Sequence, residues 1–175
     1  CSRVCCLYTV KQAKLYKQKH PKGTAFISYM DIRTDTKEGE EFYNQAMEEE
    51  RLVYVRGRVS KVYRRGGVLI VSIVDTLTKT ALQIETELVV LANAMVPTEG
   101  IEELAKKMRA TIDGNGFFTE THIKLYPVES STKGVYLAGC AQAPKDITDS
   151  VSQALAATGK ILSLFAGDTL KQDPL

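Results

Sequence analysis

The chain has no tryptophan, and its eight tyrosines are scattered without a basic stripe between them. No aromatic platform for stacking bases is drawn in the sequence. Neither sign of charge dominates: 23 Lys and Arg stand against 21 Asp and Glu, a net charge of +2. That gives no electrostatic case for a nucleic acid or an anionic membrane as partner. No apolar run is long enough to cross a bilayer; the longest, residues 88–96, is strand-sized. No leader pattern opens the chain, which begins on Cys1 instead of Met, as expected of a fragment, a processed product or a trimmed piece. The phosphate-cradling patterns GxGxxG and GxxxxGK[ST] occur nowhere, so the usual pyrophosphate cradle is missing. Four cysteines are too few for a disulfide scaffold, and Cys5 and Cys6 are adjacent. A reducing compartment, the cytoplasm, is expected, with thiols kept for metal or redox work.

What is present fits one substantial core or two small ones, with ordinary globular usage of 44% hydrophobic and 25% charged residues. Residues 1–19 have the apolar spacing of a helix, ended by His20, Pro21 and Gly23. A strand over 24–30, a helix over 40–51 and a strand over 52–55 follow. Residues 57–63, 68–74 and 80–86 predict an antiparallel meander, with Gly66 and Gly67 in its first turn. Residues 87–92 are almost wholly apolar, as in a parallel strand covered on both faces. A helix over 101–108, a turn over 113–116 and an irregular polar stretch from 117 to 127 come next. A buried strand over 134–138 then leads through Gly139 and Cys140 into a long helix that Asp146 or Thr148 caps and that runs through Leu164. The last ten residues are expected to fray. The pattern is an α/β core carrying a β-meander.

Two places carry candidate chemistry. Cys1, Cys5 and Cys6 put three soft donors within six residues. On a helix, positions 1 and 5 share a side with 6 beside them. Such a set suits zinc or part of an iron–sulfur cluster, with a fourth ligand from upstream, His20 or Cys140. The alternative is that Cys5 and Cys6 are small apolar helix residues, which leaves Cys1 unexplained. The second place is the set of strand ends at 30–33, 91–97 and 138–146, where a doubly wound sheet binds ligands. Arg33 is placed to receive a phosphate, or else is solvated or paired with Asp31. Gly139 allows close backbone approach, and Pro144 stiffens the loop. Cys140 is either a thiolate stabilised by the helix N-terminus or, as favoured, a residue that lines a cofactor pocket through its backbone N–H. Asp146 and Asp149 are helix-start acids whose plainest role is capping. His20 and His122 have no recognisable orienting partner for nucleophilic catalysis.

The segments CSRVCC at 1–6, MDIR at 30–33, YVRG at 54–57 and GVYLAGCAQAPKDI at 134–147 closely resemble the A component of heterodisulfide reductase and its relatives. The resemblance runs in order along nearly the whole chain. It implies an iron–sulfur flavoprotein of thioredoxin-reductase-like architecture, an oxidoreductase that distributes electrons in anaerobic energy metabolism. The fold it implies is a partial doubly wound FAD/NAD(P)-binding fold with an inserted antiparallel meander. Residues 1–90 would be part of the second dinucleotide-binding domain, and residues 91–175 the return segment of the FAD-binding domain. Carried over, Gly139, Cys140, Asp146 and Ile147 stand near FAD, and Cys1, Cys5 and Cys6 are three ligands of a [4Fe-4S] cluster whose fourth cysteine lies upstream. The sequence departs from the family at 92–94, which has Ala-Asn-Ala where Ala-Thr-Gly is usual, and the FAD fingerprint is missing. The expectation is a fragment, inactive alone and able to hold neither cofactor, of a parent that passes electrons between FAD and iron–sulfur clusters. Its implied partners are other redox subunits of the B and C kind, a hydrogenase or ferredoxin, with no nucleic acid and no membrane span, and self-association is expected through exposed sheet edges. The alternatives are a noncatalytic docking domain for a redox partner and a zinc-binding structural module.

Overall fold

The computed structural model describes residues 1–167 and Thr169. Most of the ten terminal residues expected to fray therefore lie outside the described residues. The chain is mixed α/β and divides into two compact units. One is Arg3–Asn93; the other is Cys1–Ser2 with Ala94–Leu175.

In the first unit, helix α1 (Cys5–Lys19) and helix α2 (Gly39–Glu48) pack on one face of a parallel pair, β1 (Phe26–Tyr29) and β2 (Val53–Arg56). A parallel pair needs a crossover connection, and α2 supplies it. Val10, Ile27, Ala46 and Leu52 form the buried centre, flanked by Phe42, Tyr43 and Tyr54. The helix expected from Cys1 begins only at Cys5. Arg3 has φ 57, Val4 offers no side-chain cap, and the Ser2 hydroxyl accepts the Met95 N–H at 2.9 Å instead of capping α1. Phe26 and Val53 remain exposed, while Val55, on the same face of β2, is buried.

The meander consists of β3 (Val59–Arg65), β4 (Val68–Asp75) and β5 (Thr80–Thr86), antiparallel in that order. Gly66 and Gly67 join the Arg65↔Val68 pair with φ 58 and 93, the double positive φ that a two-residue hairpin turn favours. Ile70 and Ile73 of the central strand are fully buried. Gly57 joins meander to parallel pair: its N–H donates to the Tyr29 carbonyl at 2.7 Å, and its own carbonyl accepts the Ser28 hydroxyl at 2.9 Å. A Cβ at this position would lie 2.1 Å from the Val74 carbonyl oxygen. The terminal glycine of the YVRG segment is thus a steric necessity.

Residues 87–92 form no strand. The sequence is strand-like, but no ladder among the described residues takes it up, and Leu88, Val90 and Leu91 are exposed.

In the second unit, α3 (Ile101–Met108) contributes Ala105 to a small core with Phe118 and Leu137. The stretch expected to be irregular contains a hairpin of β6 (Glu120–His122) and β7 (Tyr126–Ser130). The β-pattern is hidden because its turn is built by a side chain: His122 Nδ1 accepts the N–H groups of Lys124 and Leu125, each at 3.2 Å. The strand expected at 134–138 is reduced to a single bridge, Glu129↔Tyr136, with Leu137 N–H donating to Val128 C=O at 2.7 Å. Gly134, with φ 84, bends the chain into this short return. Helix α4 (Ile147–Leu164) then packs on β7, burying Ala157, with Lys160 2.9 Å from Glu129.

The Tyr43, Tyr54 and Tyr29 rings meet edge to face, with Tyr54 4.9 Å from Tyr43 and 6.2 Å from Tyr29. The Tyr54 hydroxyl is buried with no hydrogen-bond partner among the described residues. Burial first, and then the neighbouring Tyr43, push its pKa from 10.0 to about 12. The phenol's contribution to stability is therefore intact below pH 10 and falls as pH rises toward 12. Tyr54→Phe removes an unsatisfied buried group and is expected to stabilise the protein by about 1 kcal/mol in denaturant unfolding, while abolishing the tyrosinate absorbance step near pH 12. Gly57→Ala is expected to cost about 2 kcal/mol in the same measurement, since backbone must move to admit the methyl.

Candidate cofactor turn and cysteine cluster

The turn between the short return and α4 holds Gly139, Cys140, Asp146 and Ile147 within the second unit. Gly139 opens a 3-10 turn (Gly139–Ala141) with φ 64. A Cβ there would meet only the Ser150 side chain, at ordinary contact distances of 3.7–3.8 Å. The positive φ, and not lack of space, is what calls for glycine. The Cys140 thiol is exposed and donates to the Lys145 carbonyl at 3.6 Å.

Asp146 caps α4. Its Oδ1 accepts the Asp149 N–H at 2.7 Å, and its backbone carbonyl accepts the Ser150 hydroxyl at 2.7 Å. The capping role expected of it is the one observed. The carboxylate also lies where the helix dipole would otherwise attract an external anion. Ile147, the first residue of the helix, is 83% exposed.

The sequence reading missed Gln142, which holds the turn together. Its amide nitrogen donates to Glu120 Oε2 at 2.6 Å and to the Pro127 carbonyl at 3.4 Å. Its amide oxygen accepts from Lys145 Nζ at 2.9 Å and from the Gln153 amide. One side chain thus ties the turn to the hairpin and to α4. The available signal was a lone amide among small apolar residues in CAQAP.

In the first unit, Arg33 lies exposed in the loop after β1, with no ion pair among the described residues. Asp31, its suggested partner, faces Arg56 at 3.8 Å, and Asp35 pairs with Arg3 at 2.8 Å. Cys5 and Cys6 occupy the first turn of α1, and Cys6 Sγ donates to the Asp31 carbonyl at 3.8 Å. Cys1 lies off the helix, so the helical side expected to gather positions 1 and 5 is not formed. None of the four cysteines is in a disulfide. Soft thiols are suitable donors for an iron–sulfur cluster. Among the described residues, however, no three His, Cys, Asp or Glu side chains converge to hold a metal. His20 ends α1 and His122 is committed to its turn. No helix among the described residues is long and apolar enough to cross a membrane.

Asp146→Ala is expected to lower unfolding stability by about 1 kcal/mol through loss of the cap. Hydrogen exchange should accelerate at the first turn of α4 and stay unchanged in α3.

No family model matches the chain. Curated relatives do. A protein of Archaeoglobus profundus that is like the A component of heterodisulfide reductase is 41% identical over 100% of this chain and 25% of its own length. The A component of an H(2):CoB-CoM heterodisulfide, ferredoxin reductase from Methanothermobacter thermautotrophicus is 42% identical over 91% of this chain and 24% of its own length. The iron–sulfur A component of a CoB–CoM heterodisulfide reductase from Methanocaldococcus jannaschii is 40% identical over 92% and 25%. The chain thus spans about a quarter of the length of the curated relatives it matches. Identity at this level over 91–100% of the chain relates it to the family of heterodisulfide reductase A components and is consistent with a segment of one.

Proposed function

We propose that this segment is the closing half of a cofactor site in an iron–sulfur flavoprotein that passes electrons between FAD and [4Fe-4S] clusters in the cytoplasm of an anaerobe. Residues 1–90 supply part of the second dinucleotide-binding domain, and residues 91–175 return into the FAD-binding domain. The observation that carries this reading is bare apolar surface of the kind a doubly wound sheet covers. On α4, Gln153, Ala157 and Lys160 face the turn and β7, while Ile147, Val151, Leu155 and Leu162 lie exposed on another side. The β1–β2 pair is parallel but only two strands wide, and parallel sheets are ordinarily wider and covered on both faces. The exposed, strand-like residues 88–96 fit the same account.

Electrostatics sharpen the placement of the turn. With the Asp146 carboxylate on the N-terminus of α4, a phosphate there would meet like charge. A carboxylate accepts hydrogen bonds from hydroxyls, so Gly139, Cys140, Asp146 and Ile147 suit the ribityl chain of a flavin and not its pyrophosphate. Arg33, exposed in the loop after β1, is the cation this reading assigns to a phosphate in the first unit. Cys1, Cys5 and Cys6 would give three thiolates to a cluster, with the fourth from upstream, once residues 1–4 take a ligating arrangement. When bound, FAD would take up electrons in pairs and pass them singly to a one-electron cluster; the chain's own part is placement and tuning. The partners on this reading are the other subunits of a heterodisulfide reductase complex, and a ferredoxin of the kind the relatives' names mention.

The test is the full-length polypeptide prepared without oxygen. Flavin absorbance and broad iron–sulfur absorbance are both expected. Cys5→Ser with Cys6→Ser should lower iron content by about one cluster per polypeptide and leave flavin content unchanged. Unchanged iron would remove the cluster assignment, and zinc in its place would make the thiols a structural metal site.

A further inference from the structure

No Asp or Glu precedes Asp31, whereas six Lys and Arg do. That leaves 17 cations against 21 carboxylates in residues 31–175, so the near-neutral total hides a segregated charge. Five of the six cations fall between Lys11 and Lys22, on α1 and the turn after it.

Three of these lysines stand free and two are engaged. Lys14 lies over the Phe42 ring at 4.9 Å. Lys17 Nζ donates to the carbonyls of Pro21 at 3.1 Å and Gly23 at 2.7 Å, pinning the turn that ends α1. The turn is braced further: His20 N–H donates to Tyr16 C=O at 2.8 Å, and the Tyr16 and His20 rings lie 5.2 Å apart. Tyr16 packs so closely over Gly23 that a Cβ there would lie 2.3 Å from its hydroxyl oxygen. The result is a preformed shallow cleft of about 530 Å³ lined by Tyr16, Lys19, His20, Pro21, Lys22 and Gly23. Lys11, Lys19 and Lys22 are exposed and make no hydrogen bond or ion pair among the described residues. Lys11, Leu15 and Lys19 follow one another at i, i+4 and i+8, on one face of the helix. Leu15 is 46% exposed and Tyr16 40%.

We propose that this face of α1 and the cleft at its C-terminal end form a docking surface for a small acidic protein. The helix dipole accounts for a preference for cations in the last turn. It does not account for Lys11, for the exposed apolar pair between the cations, or for the cleft. An apolar centre ringed by point charges matches a protein surface bearing carboxylates, where charge steers and orients encounter. A nucleic acid would call for a longer cationic track, and the rest of the chain is net acidic. Only the choice of partner, an electron carrier of ferredoxin type, rests on the redox function proposed above.

The experiment measures binding of a purified acidic ferredoxin to the full-length polypeptide at low and high salt. Wild type should bind at low salt and weaken steeply as salt rises. Lys11→Glu, Lys19→Glu and Lys22→Glu together should weaken binding roughly tenfold or more and flatten the salt dependence. Arg58→Glu, Arg64→Glu and Lys79→Glu, the same change in net charge on the meander side, should leave binding within about twofold. Carbodiimide coupling of the wild-type mixture should join Lys11, Lys19 or Lys22 to partner carboxylates, which tests the surface without any variant. The proposal is overturned if wild type does not bind, if the first triple variant binds like wild type, if the second weakens binding equally, or if duplex DNA binds this face more tightly than ferredoxin. Iron and flavin content, measured on the same preparations, report separately on the redox function: loss of docking with normal cofactor content counts against the surface alone.

Discussion

An 18-residue helix whose only charged positions are Asp149 and Lys160 has to be covered on more than one side. Helix α4 sets this constraint for its unit. One side meets the hairpin through Ala157 and the Lys160–Glu129 pair, and the hairpin's position follows from that contact. The start of the helix fixes the preceding turn, since Asp146 is cap and turn residue at once. The remaining side, from Ile147 to Leu162, has no cover among the described residues. The parallel pair β1–β2 is covered more fully: one face is packed by α1 and α2, and the other buries Val55 while leaving Phe26 and Val53 exposed. Apolar area left in water costs roughly 25 cal/mol per Å² relative to burial. The apolar side of α4 is thus the largest such cost in its unit.

The turn itself is rigid for reasons that owe nothing to a ligand. Gln142 commits both ends of its amide to neighbours from the hairpin, the turn and α4. Cys140 commits its thiol proton to the Lys145 carbonyl. A cofactor arriving here would meet a preorganised surface with the Asp146 carboxylate on the helix start, Asp149 beside it in the first turn and Lys145 held against Gln142, and the carboxylate at the helix start sorts its possible neighbours. Phosphate is disfavoured and hydroxyl favoured, which is why the place proposed for the turn is beside the sugar-alcohol part of a flavin.

Local signals were legible in the sequence where a residue type has one strong use. Gly66–Gly67 gave the hairpin, Asp146 gave the cap, and the charge order along residues 101–108 gave a helix with the observed bounds. Signals failed where structure depends on a partner. Residues 87–92 have a strand's composition but no neighbouring strand, and composition cannot supply one. Residues 117–127 hide a hairpin because His122 closes its turn through a side chain, without the Gly or Asn that ordinarily marks one. The helix expected from Cys1 begins only at Cys5, after Arg3 turns the backbone to φ 57. The candidate site was legible as a set of residues, with Gln142 absent from it, since an amide hub is visible only once its four neighbours are assembled.

Helix α1 brings the two candidate functions of the first unit onto one element. Cys5 and Cys6 occupy its first turn, and the cationic cleft lies at its end. Fifteen residues at helical rise separate those ends by about 22 Å. The docking face extends back from the cleft to Lys11, five residues and about 8 Å along the helix from Cys6, so the charged contact and the thiols share most of one element.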